Sequence, residues 1–222
     1  LNTKASRFMA VLDPIKLVIT NYPEGSTEML EIENNPEDAS QGSRLLPFSK
    51  NLFIERNDFK EEANRKYFRL TIGKEVRLKS GYIIEGQKVF KDNQGNVVEV
   101  HCTYDPESKS GSGSLASQRK VKGTIHWVNQ ETAQQAKVNL YDRLFNVENP
   151  DQNKDQEFTD FINTDSFKQV TAQVEPSLVN LNPGTNIQFQ RLGYFVVDDD
   201  STKNKLVFNK TVGLRDTWSK KK

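Results

Sequence analysis

What most constrains this chain is a repeated pattern: short runs of β-branched and aromatic residues, punctuated by Gly, Pro, Asn and Asp, with almost no helical period between them. Such runs lie at 15–22, 52–55, 67–72, 75–79, 82–91, 97–104, 120–129 and 138–144, then at 170–174, 187–198 and 206–214. Many short strands at this spacing fit closed or sandwiched β structure. The clearest hairpin is 89–100, where Asp92-Asn93-Gln94-Gly95-Asn96 supplies turn residues that tolerate positive φ. Helical signals are two. Asp58, with Glu61 three residues on, predicts a capped short helix to about Lys66, and Phe158, Phe161 and Ile162 predict a brief helix with one apolar face.

With 222 residues and a 35% hydrophobic fraction, the chain has material for two small β-barrels. The small polar stretch SKSGSGSLASQ, Ser108 to Gln118, has no apolar period and reads as a flexible linker. We therefore expect an all-β chain with one barrel unit over 1–107, a linker over 108–118 and a second unit over 119–222, terminal strands being free to exchange between units. No apolar run of the roughly 18 residues that suggest a membrane span occurs, nor a signal core or lipidation motif. A soluble, cytoplasmic protein is the expectation. The single cysteine, Cys102, rules out an internal disulfide or a thiolate cage and is expected to be a buried small hydrophobe. The chain opens on Leu1, which fits a piece of a longer protein.

A net charge of +1 conceals segregation. Residues 24–38 hold six acidic and no basic residues, and 148–165 hold six acidic against Lys154 alone; both read as solvated loops. Residues 60–79 carry seven basic residues against three acidic, and 203–222 carry seven against one. Local basic surfaces of this kind suit an anionic partner.

Catalytic readings fare poorly. His101 and His126 stand in β-like runs without a nucleophile motif or metal-ligand spacing. In RKVKGTIHWV, Arg119 to Val128, alternation puts Val121, Gly123, Ile125 and Trp127 on one face and Lys120, Lys122, Thr124, His126 and Val128 on the other. His126 is thereby expected to be structural. Glu61-Glu62 and Asp198-Asp199-Asp200 are adjacent carboxylates, whereas glycosidase pairs face each other across a cleft. Gly-rich phosphate loops are absent. What recurs is basic and aromatic interleaving: Arg7-Phe8, Arg65-Lys66-Tyr67-Phe68-Arg69, Arg77-Leu78-Lys79, and Gln188-Phe189-Gln190-Arg191 with Tyr194-Phe195. Arg forks suit base edges and phosphates, and flat rings stack on unpaired bases, so the pattern favours single-stranded RNA.

Several longer blocks go further. RFMAVLDPIKLVI (7–19), GSRLLPFS (42–49), DFKEEANRKYFRLTIGKEVRLK (58–79), KVKGTIHWV (120–128), LYDRLF (140–145) and VFNKTVGLRDTW (207–218) together resemble the C-terminal anticodon-binding half of bacterial glutaminyl-tRNA synthetase. The resemblance implies two tandem barrels of the ribosomal-protein-like kind, attached in the parent to a class I catalytic core that uses ATP and Mg. The ATP motifs of that core are missing here, so this chain is expected to bind the anticodon arm of glutamine tRNA without a cofactor and without catalysing glutaminylation itself. Carried over residue by residue, Arg7, Gln188 and Arg191 match positions that hold the middle anticodon base, Arg77 a contact to the first, and Arg69 a contact to the third. Lys66 stands where a Gln usually helps with the middle base, and Phe68 where a Lys is usual. The resemblance implies no DNA and no membrane partner, and a monomer is expected. Competing readings are the barrel region of an archaeal or eukaryotic type glutamyl-tRNA synthetase, a ribosomal-type RNA-binding barrel, and a small β hydrolase using His126 or a carboxylate pair.

Overall fold

The computed structural model describes residues 1–152 and 155–214. Lys154, the end of the VGLRDTW block, and Arg215, Lys220, Lys221 and Lys222 of the basic C-terminal run lie outside the described residues. The strands, in chain order, are β1 (Ser6–Phe8), β2 (Ala10–Val11), β3 (Pro14–Ile19), β4 (Thr27–Glu33), β5 (Ser43–Ser49), β6 (Asn51–Glu55), β7 (Glu75–Leu78) and β8 (Ile83–Lys91). There follow β9 (Val97–Tyr104), β10 (Thr124–Ile125), β11 (Val128–Asn129), β12 (Gln134–Tyr141), β13 (Phe167–Val174), β14 (Asn186–Phe189), β15 (Gly193–Val197) and β16 (Leu206–Val212). Short 3-10 turns are the only helical structure among the described residues, so the protein is all-β.

Two seven-stranded sheets form, in the orders β10-β7-β8-β9-β3-β6-β11 and β1-β14-β15-β16-β12-β13-β2. One curls into a nearly closed barrel and the other into a half-barrel. In each sheet the two edge strands are consecutive in the chain: β10 and β11 bracket the first, β1 and β2 the second. A single bent segment thus reaches both edges, which removes the open edges that invite aggregation. The closing segments are exchanged. Residues 124–129, from the later part of the sequence, close the sheet built from the earlier part, and residues 6–11 close the other.

That exchange explains the burial pattern. Phe8, Met9, Ala10 and Val11 are all buried, and alternation divides them between two cores: Met9 and Val11 pack with Ile15, Leu17, Phe48 and Trp127, while Phe8 and Ala10 pack with Val138, Phe189, Phe195 and Phe208. The segment is a wall shared by both units, buried on both faces as a central strand would be. Each fully buried apolar side chain of this size contributes about 1.5–3 kcal/mol. The first core is aromatic-rich, with Phe48 in edge contact with Trp127 at 5.0 Å between centroids. In the second, Phe189 lies 4.3 Å from Phe195 and 5.2 Å from Phe208.

The hairpin of β8 and β9 forms as expected, with Gly95 at φ 85° and Asp92 Oδ1 accepting from the amides of Gln94 and Asn96. Cys102 is buried, and burial pushes its thiol far above the ordinary range. Six expectations need correction. The acidic stretch 24–38 contains β4, hydrogen-bonded to β5 along its length, because Leu30 and Ile32 alternate inward while Glu31 and Glu33 point out. The helix from Asp58 does not form: a 3-10 turn ends at Asp58, whose carboxylate is engaged by arginines instead of by a helix N-terminus. Residues 67–72 are irregular, with only isolated bridges at Leu70 and Ile72. The run 120–129 breaks at His126-Trp127, where the closing segment crosses from one edge to the other, so residues 125–129 are all buried and alternation ends. The run 187–198 is two strands around a turn at 190–192. Phe158–Phe161 is a brief 3-10 turn, but Phe158 and Ile162 remain exposed.

Candidate nucleic-acid interface

Strand pairing brings Arg7 and Gln188 side by side. β1 lies parallel to β14 with Arg7 in register with Gln188, and the Gln190 amide donates to the Phe8 carbonyl at 2.8 Å to extend the pairing. Arg7 donates from Nη2 to Asn2 Oδ1 at 3.1 Å and lies 3.6 Å from Glu37. Its Nε and the Oε1 of Gln188 are buried and have no hydrogen-bond partner among the described residues. Two unsatisfied groups on register-paired residues, one donor and one acceptor, cost free energy as they stand and offer complementary polarity to a partner.

Arg191 sits at the apex of the turn between β14 and β15, with φ at 67°. A left-handed backbone costs a non-glycine residue about 1–2 kcal/mol, so something must hold it there. Asp58 does. Arg191 donates from Nη1 to Asp58 Oδ2 at 2.5 Å and from Nη2 to Oδ1 at 2.7 Å, a forked pair across the junction between the units. Arg69 adds a contact to Asp58 Oδ1 at 3.1 Å and donates to the Asn57 carbonyl at 3.0 Å. The Asp58 side chain is 2% exposed while Arg69 is 44% exposed, so the anchor is buried and one of its guanidiniums reaches solvent.

His126 joins this group. Arg191 Nη1 lies 3.0 Å from His126 Nδ1, and since Arg only donates, Nδ1 accepts and the ring proton belongs on Nε2. His126 Nε2 is 3.7 Å from Glu55 Oε1, too far for a hydrogen bond. Glu55 is itself taken by the amides of Leu12 at 2.6 Å and Asp13 at 3.2 Å. Tyr67, whose hydroxyl donates to the Asn57 carbonyl at 3.1 Å, is pushed up to about 12 by burial and the nearby Asp58 charge. His126 is therefore a buried hydrogen-bond partner of Arg191, and His101, in β9, lies 2.7 Å from Glu99.

Arg77 stands apart. Its Nη1 donates to the Ser108 carbonyl at 2.8 Å and Ser110 Oγ at 3.2 Å, and its Nη2 to the Ser117 carbonyl at 2.9 Å. Burial and the neighbouring Arg119 charge lower its proton affinity, but the group remains a cation. The guanidinium thus gathers the carbonyls of the Ser/Gly loop, and Ser108 is fully buried. Lys66 is exposed on a turn capped by Asn64. The structure hence gathers Arg7 with Gln188, and Arg69 with Arg191, while Arg77 and Lys66 are placed separately.

Asp58, Asn57 and His126 join this cluster and were not picked out for it from the sequence, whereas Tyr67 was named there with its basic neighbours. Asp58 opens the 58–79 block that carries Arg65, Arg69 and the aromatic pair, which is the one local hint of its role. The Asp198-Asp199-Asp200 triple lines a shallow recess where Asp198 is held low by the Asp200 amide and Asn209, with no opposing carboxylate among the lining residues. No group of three or more potential metal ligands occurs among the described residues, and no helix there is long and apolar enough to cross a membrane.

Comparison with known proteins bears on the same residues. Two family models for the anticodon-binding domains of class I tRNA synthetases (E and Q) match, over residues 5–105 and 124–198. Over 221 residues, 99% of the chain, it is 59% identical to a glutamine–tRNA ligase of Rhodopirellula baltica, 52% to one of Alteromonas mediterranea and 50% to one of Vibrio parahaemolyticus. The chain spans 36% of the first of these relatives and 39% of the other two.

Proposed function

Because the chain belongs to the anticodon-binding domains of the class I E and Q tRNA synthetases, we propose that it recognises the anticodon of glutamine tRNA. In this reading it supplies specificity to ATP- and Mg-dependent glutaminylation carried out by a catalytic core, contributing binding energy and no chemistry of its own. The units we propose are 1–107 and 119–222 with their closing strands exchanged, acting as a cytoplasmic monomer on the anticodon stem-loop. The glutamine ligases among its relatives favour glutamine over glutamate tRNA.

The observation that carries the reading is the buried pair of unsatisfied atoms, Arg7 Nε and Gln188 Oε1, at register positions of β1 and β14. A base edge offers both a donor and an acceptor, and guanidinium and amide groups pair with such edges bidentately. Arg191, held two residues past β14, and Arg69, held by the same carboxylate, extend this surface. Arg77 enters the proposal as the residue that shapes the 108–119 loop against which the first base would lie, and Lys66 as an exposed cation for the middle base.

The test is titration of the chain with glutamine tRNA and with variants changed at the middle anticodon base. Wild-type protein should prefer the native base, and Arg191→Ala should weaken binding by about 1–3 kcal/mol while flattening that preference. Equal affinity for every middle base in the wild type would leave phosphate attraction alone and end the base-readout claim.

A further inference from the structure

We infer that Phe68 is a stacking platform for an unpaired base of the bound RNA, an inference that rests on the RNA-binding reading above. Phe68 is 49% exposed, whereas the other phenylalanines of the first unit's core, Phe48 and Phe59, are 0% and 6% exposed. The backbone that carries Phe68 is anchored. The backbones at Phe68 and Gly123 touch so closely that a Cβ on Gly123 would lie 2.1 Å from the Phe68 carbonyl oxygen. On its other side Arg69 is tied to Asp58 and to the Asn57 carbonyl. The backbone at Phe68 and the neighbouring Arg69 side chain are thus anchored while the apolar ring stands half in water, which folding alone does not reward.

The surroundings indicate what covers it. Lys122 Nζ stands 5.3 Å from the Phe68 ring centroid, and Lys60 Nζ stands 5.2 Å from that of Tyr67. Lys122, the cation over the Phe68 ring, has no carboxylate partner among the described residues, and neither do Lys60 over Tyr67 and the exposed Lys66 of the same stretch. A partner that is negative along its backbone and flat and apolar at intervals answers both features, and single-stranded nucleic acid is that partner. Two other exposed rings provide the contrast. Phe158 and Phe167 are 52% and 53% exposed, but each meets a second ring, Phe145 and Tyr141, and they lie within and just after the acidic 148–165 stretch. Exposure alone does not mark a base platform; exposure among unpaired cations does.

Affinity for glutamine tRNA should be measured for the wild-type chain, Phe68→Ala and Phe68→Trp, each against native tRNA and against tRNAs made abasic at one of the three anticodon positions. Phe68→Ala should weaken binding to native tRNA about tenfold, the range of a single base–aromatic stack, and Phe68→Trp should restore it. The Phe68→Ala penalty should vanish for one abasic tRNA and persist for the other two, a coupling that a purely structural role would not produce. A penalty below about twofold on native tRNA, or one unchanged across all three abasic tRNAs, overturns the platform while leaving anticodon recognition intact. Wild-type protein that ignores the middle base overturns the function itself and the platform with it.

Discussion

The two closing segments perform one task with opposite chemistry. Residues 6–11 and 124–129 each bend from one edge of a sheet to the other, and each belongs to the unit built from the other part of the sequence. Yet 8–11 is apolar on both faces, a wall that two cores share. Residues 124–129 give only Ile125, Trp127 and Val128 to a core, and that core is the first one alone. Their polar members look elsewhere: His126 meets Arg191, and Asn129 donates to Ser49 Oγ at 2.8 Å. The first segment joins the units by exclusion of water; the second connects a barrel to the cationic surface by hydrogen bonds. Damage to one should therefore appear as lost stability, and damage to the other as lost recognition.

Three changes would break or sharpen that contrast. The largest effect belongs to Met9→Ala, which opens a cavity in the shared wall and should cost about 2–5 kcal/mol. Thermal unfolding should show both units losing stability in one transition; two separated transitions would mean that the wall does not couple them. A smaller stability loss, about 1.5–3 kcal/mol, is expected for Asp58→Asn, which keeps the shape but removes the charge that Arg191 and Arg69 share. Here tRNA discrimination at the middle base should fall more than overall affinity, and unchanged discrimination would mean that Arg191 is positioned without Asp58.

The smallest effect is one of pH. Burial opposes ionisation of Glu28, but Lys109 at 2.8 Å and the hydroxyls of Tyr82 at 2.6 Å and Tyr22 at 3.1 Å outweigh it and hold the carboxyl below its ordinary 4.5. A lowered folded value means that this stabilisation is complete above 4.5 and fades as pH falls through the folded value. Hydrogen exchange in β4 and β5 should quicken below that pH while the amides of 6–11 stay protected. Equal quickening in both places would show that the network acts on the whole molecule.

The sites divide in the same way between what local pattern reveals and what it hides. β8 and β9 follow from alternation and an Asn/Gly turn, interactions that span a few residues. Arg7, Gln188, Arg69 and Arg191 stood out as members of basic–aromatic blocks, and Arg77 with them. But Asp58, before Phe-Lys-Glu-Glu, has every local mark of a helix cap, and only the arrival of Arg191, far along the chain, decides otherwise. The Ser/Gly loop reads as a linker because its composition carries no apolar signal. Its order comes instead from backbone carbonyls that Arg77 collects, and every residue type has those.

By itself the sequence determined the all-β class, most strand positions, the segregation of charge and the membership of the cationic set, since all of these depend on side-chain period and type. The tertiary structure decided which strand closes which barrel, which arginines share a carboxylate, and which phenylalanines are left in the open. Those outcomes rest on pairings between distant residues, such as Arg7 with Gln188 and Asp58 with Arg191, whose energies exist only once the chain has folded back on itself.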